Sequence, residues 1–163
     1  MNHEESRLQQ QCVAWFRAQY PQYAILLTHV ANEGNGNRVT GAIHKAEGTV
    51  AGVPDLLLFM HGRQNYREHG ILMSKPASAL GIEMKTDKGR QSQRQKDFQK
   101  MFEAAGYMYA VVRSLDDFRS LINDYIGGVN EEVRRRIAAT HVKIEQDAAQ
   151  REKEHFLKVI GKK

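Results

Sequence analysis

The sequence predicts one α/β domain followed by a charged helical tail. Segments with apolar residues at three- and four-residue steps alternate with short apolar runs, as helices alternate with strands in α/β proteins. Glycine, proline or asparagine separates most of these segments. The chain has 163 residues, of which 41% are hydrophobic, and this suits a single domain with its own core and an appendage.

The first part of the chain predicts a helix, a strand and a second, short helix. Residues 5–19 carry apolar side chains on one helical face, and Pro21 follows the expected end of this helix. Residues 24–31 are short, apolar and rich in Ile, Leu and Val, which favours a strand. A segment rich in glycine and asparagine, residues 32–37, then breaks the strand, and residues 38–47 are expected to form the short helix.

Two more strands are predicted in the middle of the chain. The second strand covers residues 55–60, and Pro54 stands at its start, where no hydrogen-bond donor is needed. Residues 61–77 are polar and mixed, with a small apolar island, and are expected to form a long hairpin connection without a definite structure. The third strand covers residues 79–85.

The last part of the domain predicts helix, strand and helix. Ser92 is typical of a helix N-cap with Gln95 three residues later, and Gly106 is well placed to end that helix. Residues 107–112 predict a fourth strand, and a helix is expected from Ser114 to the glycine pair at 127–128. The predicted core order is therefore α-β-(α)-β-β-α-β-α.

The predicted domain covers residues 1–128, and residues 129–163 form the tail. Apolar residues in the tail recur at helical steps, but polar positions interrupt the seam, which argues against a strong coiled coil. The tail is therefore expected to be a helix that packs on the domain, pairs with a second copy or stands in solvent.

Composition excludes several classes of protein. The single cysteine, Cys12, cannot form an internal disulfide, and no apolar run approaches the roughly 20 residues of a membrane span. A cytoplasmic protein is therefore expected; a bacterial or phage origin is expected as well. The chain has no HExxH pattern, no zinc knuckle and no P-loop lysine. Its net charge of +5 permits binding to a polyanion without requiring it.

Asp55, Glu83 and Lys85 form the most informative pattern. Alternation along a strand points Glu83 and Lys85 to one face and Met84 to the other. If the strand that begins at Asp55 pairs antiparallel with the strand that contains Glu83, the Asp55 carboxylate lies close to Glu83 and Lys85. Two carboxylates and an ammonium can hold a divalent metal and act on a phosphodiester. Taken singly, the residues allow simpler readings: an ion pair at the surface for Glu83 and Lys85, and a turn residue for Asp55.

The motifs together resemble those of a known nuclease family. They are Gly52-Val53-Pro54-Asp55, Gly81-Ile82-Glu83-Met84-Lys85, the Gly89–Gln95 segment with Phe98, and Gly106-Tyr107. In this combination the chain resembles, over roughly residues 5–120, the virus-type replication-repair nucleases, the VRR-NUC branch of the PD-(D/E)XK superfamily. The resemblance implies a restriction-endonuclease-like αβββαβ core, with a mixed central sheet flanked by helices, and metal-dependent cleavage of DNA.

The resemblance also implies roles for individual residues. Asp55 and Glu83 would be metal-binding carboxylates, and Lys85 would be the catalytic lysine. A hard cation, Mg²⁺ or Mn²⁺, would fit these carboxylates and the backbone carbonyl of Met84. Lys85 would either orient the attacking water or stabilise charge on the phosphate.

Two further polar residues match the family pattern, and each has an alternative interpretation. Glu5 shares the inward helical stripe, and the family places a helix-one glutamate near the metal, with Glu4 as a weaker candidate. Alternatively, Glu5 lies just outside a capping box formed by Ser6 and Gln9. Gln95 matches a glutamine that supports the family's active site, and it could equally serve the capping box with Ser92, or do both.

Cations near the expected site are candidates for DNA contacts. Lys88 and Arg90 lie in the loop after the third strand, and Arg38 and Lys45 lie in the short second helix; ordinary solvated charge explains them nearly as well.

The main hypothesis is a DNA endonuclease, with junction or flap DNA as candidate substrates. Its alternatives are a non-catalytic nucleic-acid-binding or assembly protein that keeps the fold and, less favoured, a structural protein that associates through its tail. Small nucleases of this kind often need two active sites for two strands, which favours a homodimer.

Overall fold

The computed structural model describes residues 3–30 and 38–160, with side chains at 3–30 and 42–160. The elements follow the predicted order, with one added hairpin. They are α1 (His3–Gln19), a 3-10 helix (Pro21–Leu26), β1 (Leu27–His29), α2 (Arg38–Ala46), β2 (Leu56–Leu58), β3 (Gly62–Glu68), β4 (Ile71–Ala77), β5 (Leu80–Met84), α3 (Gln93–Ala104), β6 (Met108–Val112), α4 (Leu115–Gly127) and α5 (Glu131–Ile160).

A mixed four-stranded sheet forms the centre of the domain. Its strand order is β1-β2-β5-β6, in which β2 pairs antiparallel with both β1 and β5, and β5 pairs parallel with β6. The parallel pair needs a crossover, which α3 supplies. The predicted α/β fold, with a mixed sheet flanked by helices and a C-terminal helix, is confirmed.

Strand β5 is the most deeply buried element. All five of its residues are buried, and the register opposes Leu58 to Leu80 and Leu56 to Ile82. Leu58, Leu80 and Ile82 have no exposed surface. The strand pair β2–β5 therefore has two ends: a hairpin end, beside Leu58 and Leu80, and an opposite end, beside Leu56 and Ile82.

Two predictions about secondary structure are wrong. Residues 24–26 belong to the 3-10 helix and not to the first strand, because the turn that begins at Pro21 continues to Leu26 before the chain extends. Residues 61–77 are not an irregular connection. They form the regular β3–β4 hairpin, in which all seven residues of each strand are paired.

A tyrosine of α4 holds the base of this hairpin. The buried Tyr125 hydroxyl lies 2.8 Å from the Met60 carbonyl oxygen and 3.2 Å from that of Ala77, the two points where the chain enters and leaves the hairpin. Gly62 allows the close approach, because a Cβ there would overlap the Tyr125 ring. The hairpin is thereby anchored at the hairpin end of the sheet.

The chain separates into two compact units between Gly128 and Val129. The second unit contains the 30-residue helix α5, which has no buried residue. Among the described residues, no helix has the length and apolar character needed to cross a membrane.

Candidate active site

The end of the β2–β5 pair opposite the hairpin gathers the charged residues singled out in the sequence. Because Leu56 opposes Ile82, the preceding Asp55 lies level with Glu83, and Lys85 follows the end of β5. All three are buried, with 9%, 1% and 8% of their surface exposed. The simpler reading of Glu83 and Lys85 as an ion pair at the surface is therefore wrong.

Backbone contacts fix Asp55 in place. Its Oδ2 accepts a hydrogen bond from the Met84 N–H at 2.8 Å, across the strand pair. Its carbonyl oxygen accepts from the Val30 N–H at 3.0 Å. Gly52 has a φ of 93° and lies so close to the Arg94 carbonyl that no side chain would fit. The loop before Asp55 can therefore pack against the first turn of α3.

Three oxygens surround the Lys85 ammonium. Nζ lies 2.5 Å from Glu83 Oε1, 3.1 Å from the Met84 carbonyl oxygen and 4.0 Å from Glu5 Oε1. These oxygens belong to predicted metal ligands, and they already converge on a positive charge. A hard cation could therefore bind to the same oxygens.

Helix α1 brings Glu5 to this cluster. The helix begins at His3, so Ser6 lies inside it and cannot be its N-cap; the alternative capping-box reading is wrong. Glu5 Oε1 also lies 3.4 Å from the Thr86 N–H. Glu4, the weaker candidate, is exposed.

Gln95 makes both of the contacts that the sequence allowed. Its Oε1 accepts from the Ser92 N–H at 2.8 Å, and the Ser92 hydroxyl accepts from the Gln95 N–H, which completes a capping box at the start of α3. Its Nε2 donates to Glu83 Oε1. The cap therefore aims the amide at the buried carboxylate.

Tyr109, Gln9 and His29 are parts of this network that sequence reasoning missed. The buried Tyr109 hydroxyl donates to Glu83 Oε2 at 3.2 Å, and His29 Nδ1 lies 2.9 Å from the Asp55 carbonyl oxygen and 2.8 Å from Gln9 Nε2. Tyr109 stands at an inward position of an apolar strand, where tyrosine is ordinary. Only the register of β6 against β5 could have found it.

Burial raises the pKa of both carboxyl groups. The main cause for both Asp55 and Glu83 is loss of solvation; the charge of Glu5 further raises the pKa of Asp55, and the charge of Asp55 further raises the pKa of Glu83. The Met84 N–H at Asp55 and the Lys85 ammonium at Glu83 act in the opposite direction without cancelling the rise. Both acids therefore ionise less readily than they would in solvent, and a bound cation would favour their charged forms.

The four candidate DNA-contacting cations lie in two places. Lys88 and Arg90 are exposed in the loop that follows Lys85. Lys45 is exposed on α2, and within the described part of the chain no hydrogen bond or ion pair joins it to Asp55 or Glu83. Arg38 begins α2, and its side chain is outside the described part of the chain.

The side chains alone do not make a complete metal cage. Within residues 3–30 and 42–160, no three His, Cys, Asp or Glu residues lie close enough together to hold a metal ion by themselves. A metal at this place would use Asp55, Glu83 and the Met84 carbonyl, with water completing its shell as Mg²⁺ prefers. The residues present fit such an ion because oxygens of Glu83 and Met84 already contact an ammonium, and the Asp55 carboxylate lies level with Glu83 on the neighbouring strand.

Comparisons with known proteins agree with this fold. The family model of the VRR-NUC domain matches residues 1–116. A solved structure described as a VRR_NUC domain protein has a TM-score of 0.62 at 22% sequence identity, and the match covers 80% of this chain and 93% of that chain. At this identity the likeness shows a shared fold. No curated protein matches the chain significantly.

Proposed function

The chain belongs to the VRR-NUC domain family, whose fold is of the nuclease type, and from the buried Asp55–Glu83–Lys85 cluster we propose that it is a metal-dependent deoxyribonuclease. The cluster carries the proposal because stability alone does not call for it. Two buried carboxylates with raised pKa values destabilise a fold, and perturbed groups gathered at one place are typical of catalytic sites.

The proposed cofactor is Mg²⁺ or Mn²⁺. Asp55, Glu83 and the Met84 carbonyl would hold it directly, and Glu5, whose Oε1 lies 4.0 Å from the Lys85 ammonium, would lie beside it. When bound, the ion would lower the pKa of a water molecule and offset charge on the scissile phosphate. Gln95 and Tyr109 keep both oxygens of Glu83 in place through their hydrogen bonds, so that the carboxylate does not need to reorganise.

Lys85 is the proposed catalytic lysine. Its ammonium neutralises Glu83 in the absence of substrate, with Nζ 2.5 Å from Glu83 Oε1. A phosphate entering the site would compete for this ammonium, which would then stabilise the negative charge that develops during cleavage or orient the attacking water. The exposed Lys88 and Arg90, in the loop after Lys85, are candidates for contacts with neighbouring phosphates, and Lys45 and Arg38 are candidates for more distant contacts.

We assign this activity to residues 1–128 and treat residues 129–163 as an appendage. Cleavage of both strands of a junction needs two sites, so the proposal includes a homodimer. The molecular mass in solution, measured by light scattering, would be twice the chain mass of 18.6 kDa for a dimer, and a monomeric mass would remove this part of the proposal.

A nuclease assay tests the central proposal. Purified full-length protein is incubated with linear, flap and four-way-junction DNA in Mg²⁺ or Mn²⁺, beside Asp55→Ala and Lys85→Ala. Loss of a catalytic group typically costs a hundredfold or more, and we expect both variants to lose about a thousandfold in rate. EDTA should abolish cleavage by the wild-type protein.

Exposed residues of the same type provide matched controls. Asp124→Ala and Lys100→Ala remove an exposed carboxylate and an exposed ammonium, and we expect near wild-type rates. Thermal melting of all variants separates loss of chemistry from loss of folding. If the wild-type protein binds DNA but cuts none of the substrates with either metal, the chain is instead a non-catalytic binding protein that keeps the fold.

A further inference from the structure

A cleft lies between helix α1 and the edge strand β1, on the flank of the proposed active site. Its volume is about 430 Å³. The described residues that line it include Ser6, Gln9, Gln10, Val13, Arg17 and His29. All but His29 come from α1, where steps of three and four residues place them along one face.

The walls of the cleft are connected to the active site. His29 Nδ1 lies 2.9 Å from the Asp55 carbonyl oxygen, and Gln9 Nε2 lies 2.8 Å from the same nitrogen. Glu5 precedes Gln9 by one helical turn and has its Oε1 4.0 Å from the Lys85 ammonium. The cleft therefore borders the residues that surround Lys85.

The lining is neutral or positively charged. Among its described residues there is no carboxylate, and Arg17, which is exposed, supplies a permanent positive charge at one end. Ser6, Gln9 and Gln10 supply a hydroxyl and two amides. Guanidinium, hydroxyl and amide groups are the side-chain donors that most often contact the sugar-phosphate backbone of DNA.

One buried polar atom in the lining lacks a partner. Gln9 has 9% of its surface exposed, and its Oε1 makes no hydrogen bond within the described part of the chain. A carbonyl oxygen only accepts, so the His29 nitrogen that bonds to Asp55 carries its proton, and the Gln9 atom 2.8 Å from it hydrogen bonds only as the amide oxygen. With the oxygen and nitrogen of the amide exchanged in this way, the amide nitrogen takes the unpartnered position, as an N–H donor that a phosphate oxygen could accept from.

We infer that this cleft binds the backbone of the substrate strand beyond the cleaved bond, with one phosphate on Arg17. The inference rests on the proposed function and extends it by a binding subsite. Eleven residues separate Ser6 from Arg17, about 16 Å along the helix axis. This equals about five steps of B-form DNA at 3.4 Å each, so the contact lies well away from the cut.

Equilibrium binding without cleavage tests the inference. A fluorescein-labelled DNA duplex is titrated with protein in EDTA, and anisotropy is measured over a range of salt concentrations. Arg17→Gln should weaken binding about tenfold and reduce the slope of log K against log salt by about 0.9, the value for one phosphate contact. Lys100→Gln removes the same charge from the exposed face of α3 and should change neither quantity by more than about twofold.

A second matched pair tests the cleft itself. Gln10→Glu and Gln11→Glu add the same charge to neighbouring exposed positions of α1, but only Gln10 lines the cleft. We expect Gln10→Glu to weaken binding about tenfold, because a carboxylate there repels the phosphate, and Gln11→Glu to weaken it less than about threefold.

The outcomes separate this inference from the proposed function. If the wild-type protein cuts DNA but the cleft variant and the control variant of each pair bind DNA equally well, the cleft is not a binding subsite. The nuclease proposal then still stands. If only the cleft variants bind weakly while all four melt at the wild-type temperature, the inference is supported. If the wild-type protein binds no DNA in EDTA, the cleft inference is wrong, and the nuclease assay with metal decides the proposed function separately.

Discussion

The two ends of the β2–β5 strand pair bury polar groups in opposite ways. At the hairpin end, the neutral Tyr125 hydroxyl is satisfied by the carbonyl oxygens of Met60 and Ala77. At the other end, the buried groups are Asp55, Glu83 and Lys85, which are charged when ionised. A neutral group with partners is buried at little cost, whereas burial raises the pKa of both acids, and the charge of Asp55 raises the pKa of Glu83 further. One end thus serves stability, and the other keeps charge at the expense of stability.

Replacing Lys85 by methionine should have the largest effect. The change keeps the length of the side chain but leaves two buried carboxylates without their cation. We expect the nuclease rate to fall about a thousandfold and the free energy of unfolding to fall by about 3 kcal/mol. Mg²⁺ should raise the melting temperature of this variant more than that of the wild-type protein, because no ammonium competes for the oxygens.

Differential scanning fluorimetry with and without Mg²⁺ measures this difference. Lys100→Met, an exposed counterpart, should leave both the rate and the stability near wild-type values. An unchanged melting temperature of Lys85→Met in EDTA would contradict the view that this ammonium neutralises the buried acids.

Removing the Tyr125 hydroxyl should affect the hairpin end alone. Tyr125→Phe leaves two buried carbonyl oxygens without their donor, and we expect the free energy of unfolding to fall by about 1–3 kcal/mol. Urea unfolding would measure the loss, and the nuclease rate at a temperature where the variant is folded should stay within about twofold of wild type. A large loss of activity in the folded variant would mean that the two ends are coupled.

Asp55→Asn should stabilise the metal-free protein at neutral pH. Burial raises the pKa of Asp55 above its ordinary value of 3.8, so the folded state holds this proton more tightly than the unfolded state. Folding therefore loses stability as the pH rises from 3.8 through the raised pKa, and the full loss is present above it. Asparagine keeps an acceptor for the Met84 N–H and removes the charge.

Thermal melts between about pH 3 and pH 8 check the sign of this effect. The melting temperature of Asp55→Asn should exceed that of the wild-type protein at pH 7, and the gap should close as the pH falls to 3.8. The order should reverse when metal is added: Mg²⁺ at 100 times its dissociation constant adds about 2.7 kcal/mol to the stability of a protein that binds it. If Asp55→Asn melts below the wild-type protein at pH 7 in EDTA, the ionised Asp55 carboxylate does not destabilise the fold, and the prediction is wrong.

Local patterns in the sequence were sufficient to predict most of the fold. Helical periodicity predicts α1, and Ser92 and Gly106 predict both ends of α3, where capping chemistry is local. The 3-10 helix at Pro21–Leu26 was missed because a short apolar run has no period of its own. The β3–β4 hairpin was missed because few of its residues alternate between apolar and polar, since most of them are exposed.

The candidate site was predictable only in part. Asp55, Glu83 and Lys85 stand beside recognisable strands, so antiparallel pairing could be expected to bring them together. The contacts of Tyr109 and His29 depend on how β6 and β1 are registered against their neighbours, and the sequence does not encode that register locally.

The smallest effect is expected from Ser92→Ala, which separates the two functions of Gln95. Loss of the N-cap hydroxyl should lower the free energy of unfolding by about 1 kcal/mol, because the Gln95 N–H loses its acceptor. The nuclease rate should stay close to wild type, since the Gln95 side chain can still accept from the Ser92 N–H and donate to Glu83.

Gln95→Glu should do the reverse: glutamate preserves the capping box but places a third carboxylate against Glu83, so stability at low pH is kept while activity falls at least tenfold. If Ser92→Ala instead lowers the rate as much as Gln95→Glu does, the helix cap is what positions the Gln95 amide. The active-site end of the β2–β5 pair would then depend on a structural contact as much as the hairpin end does.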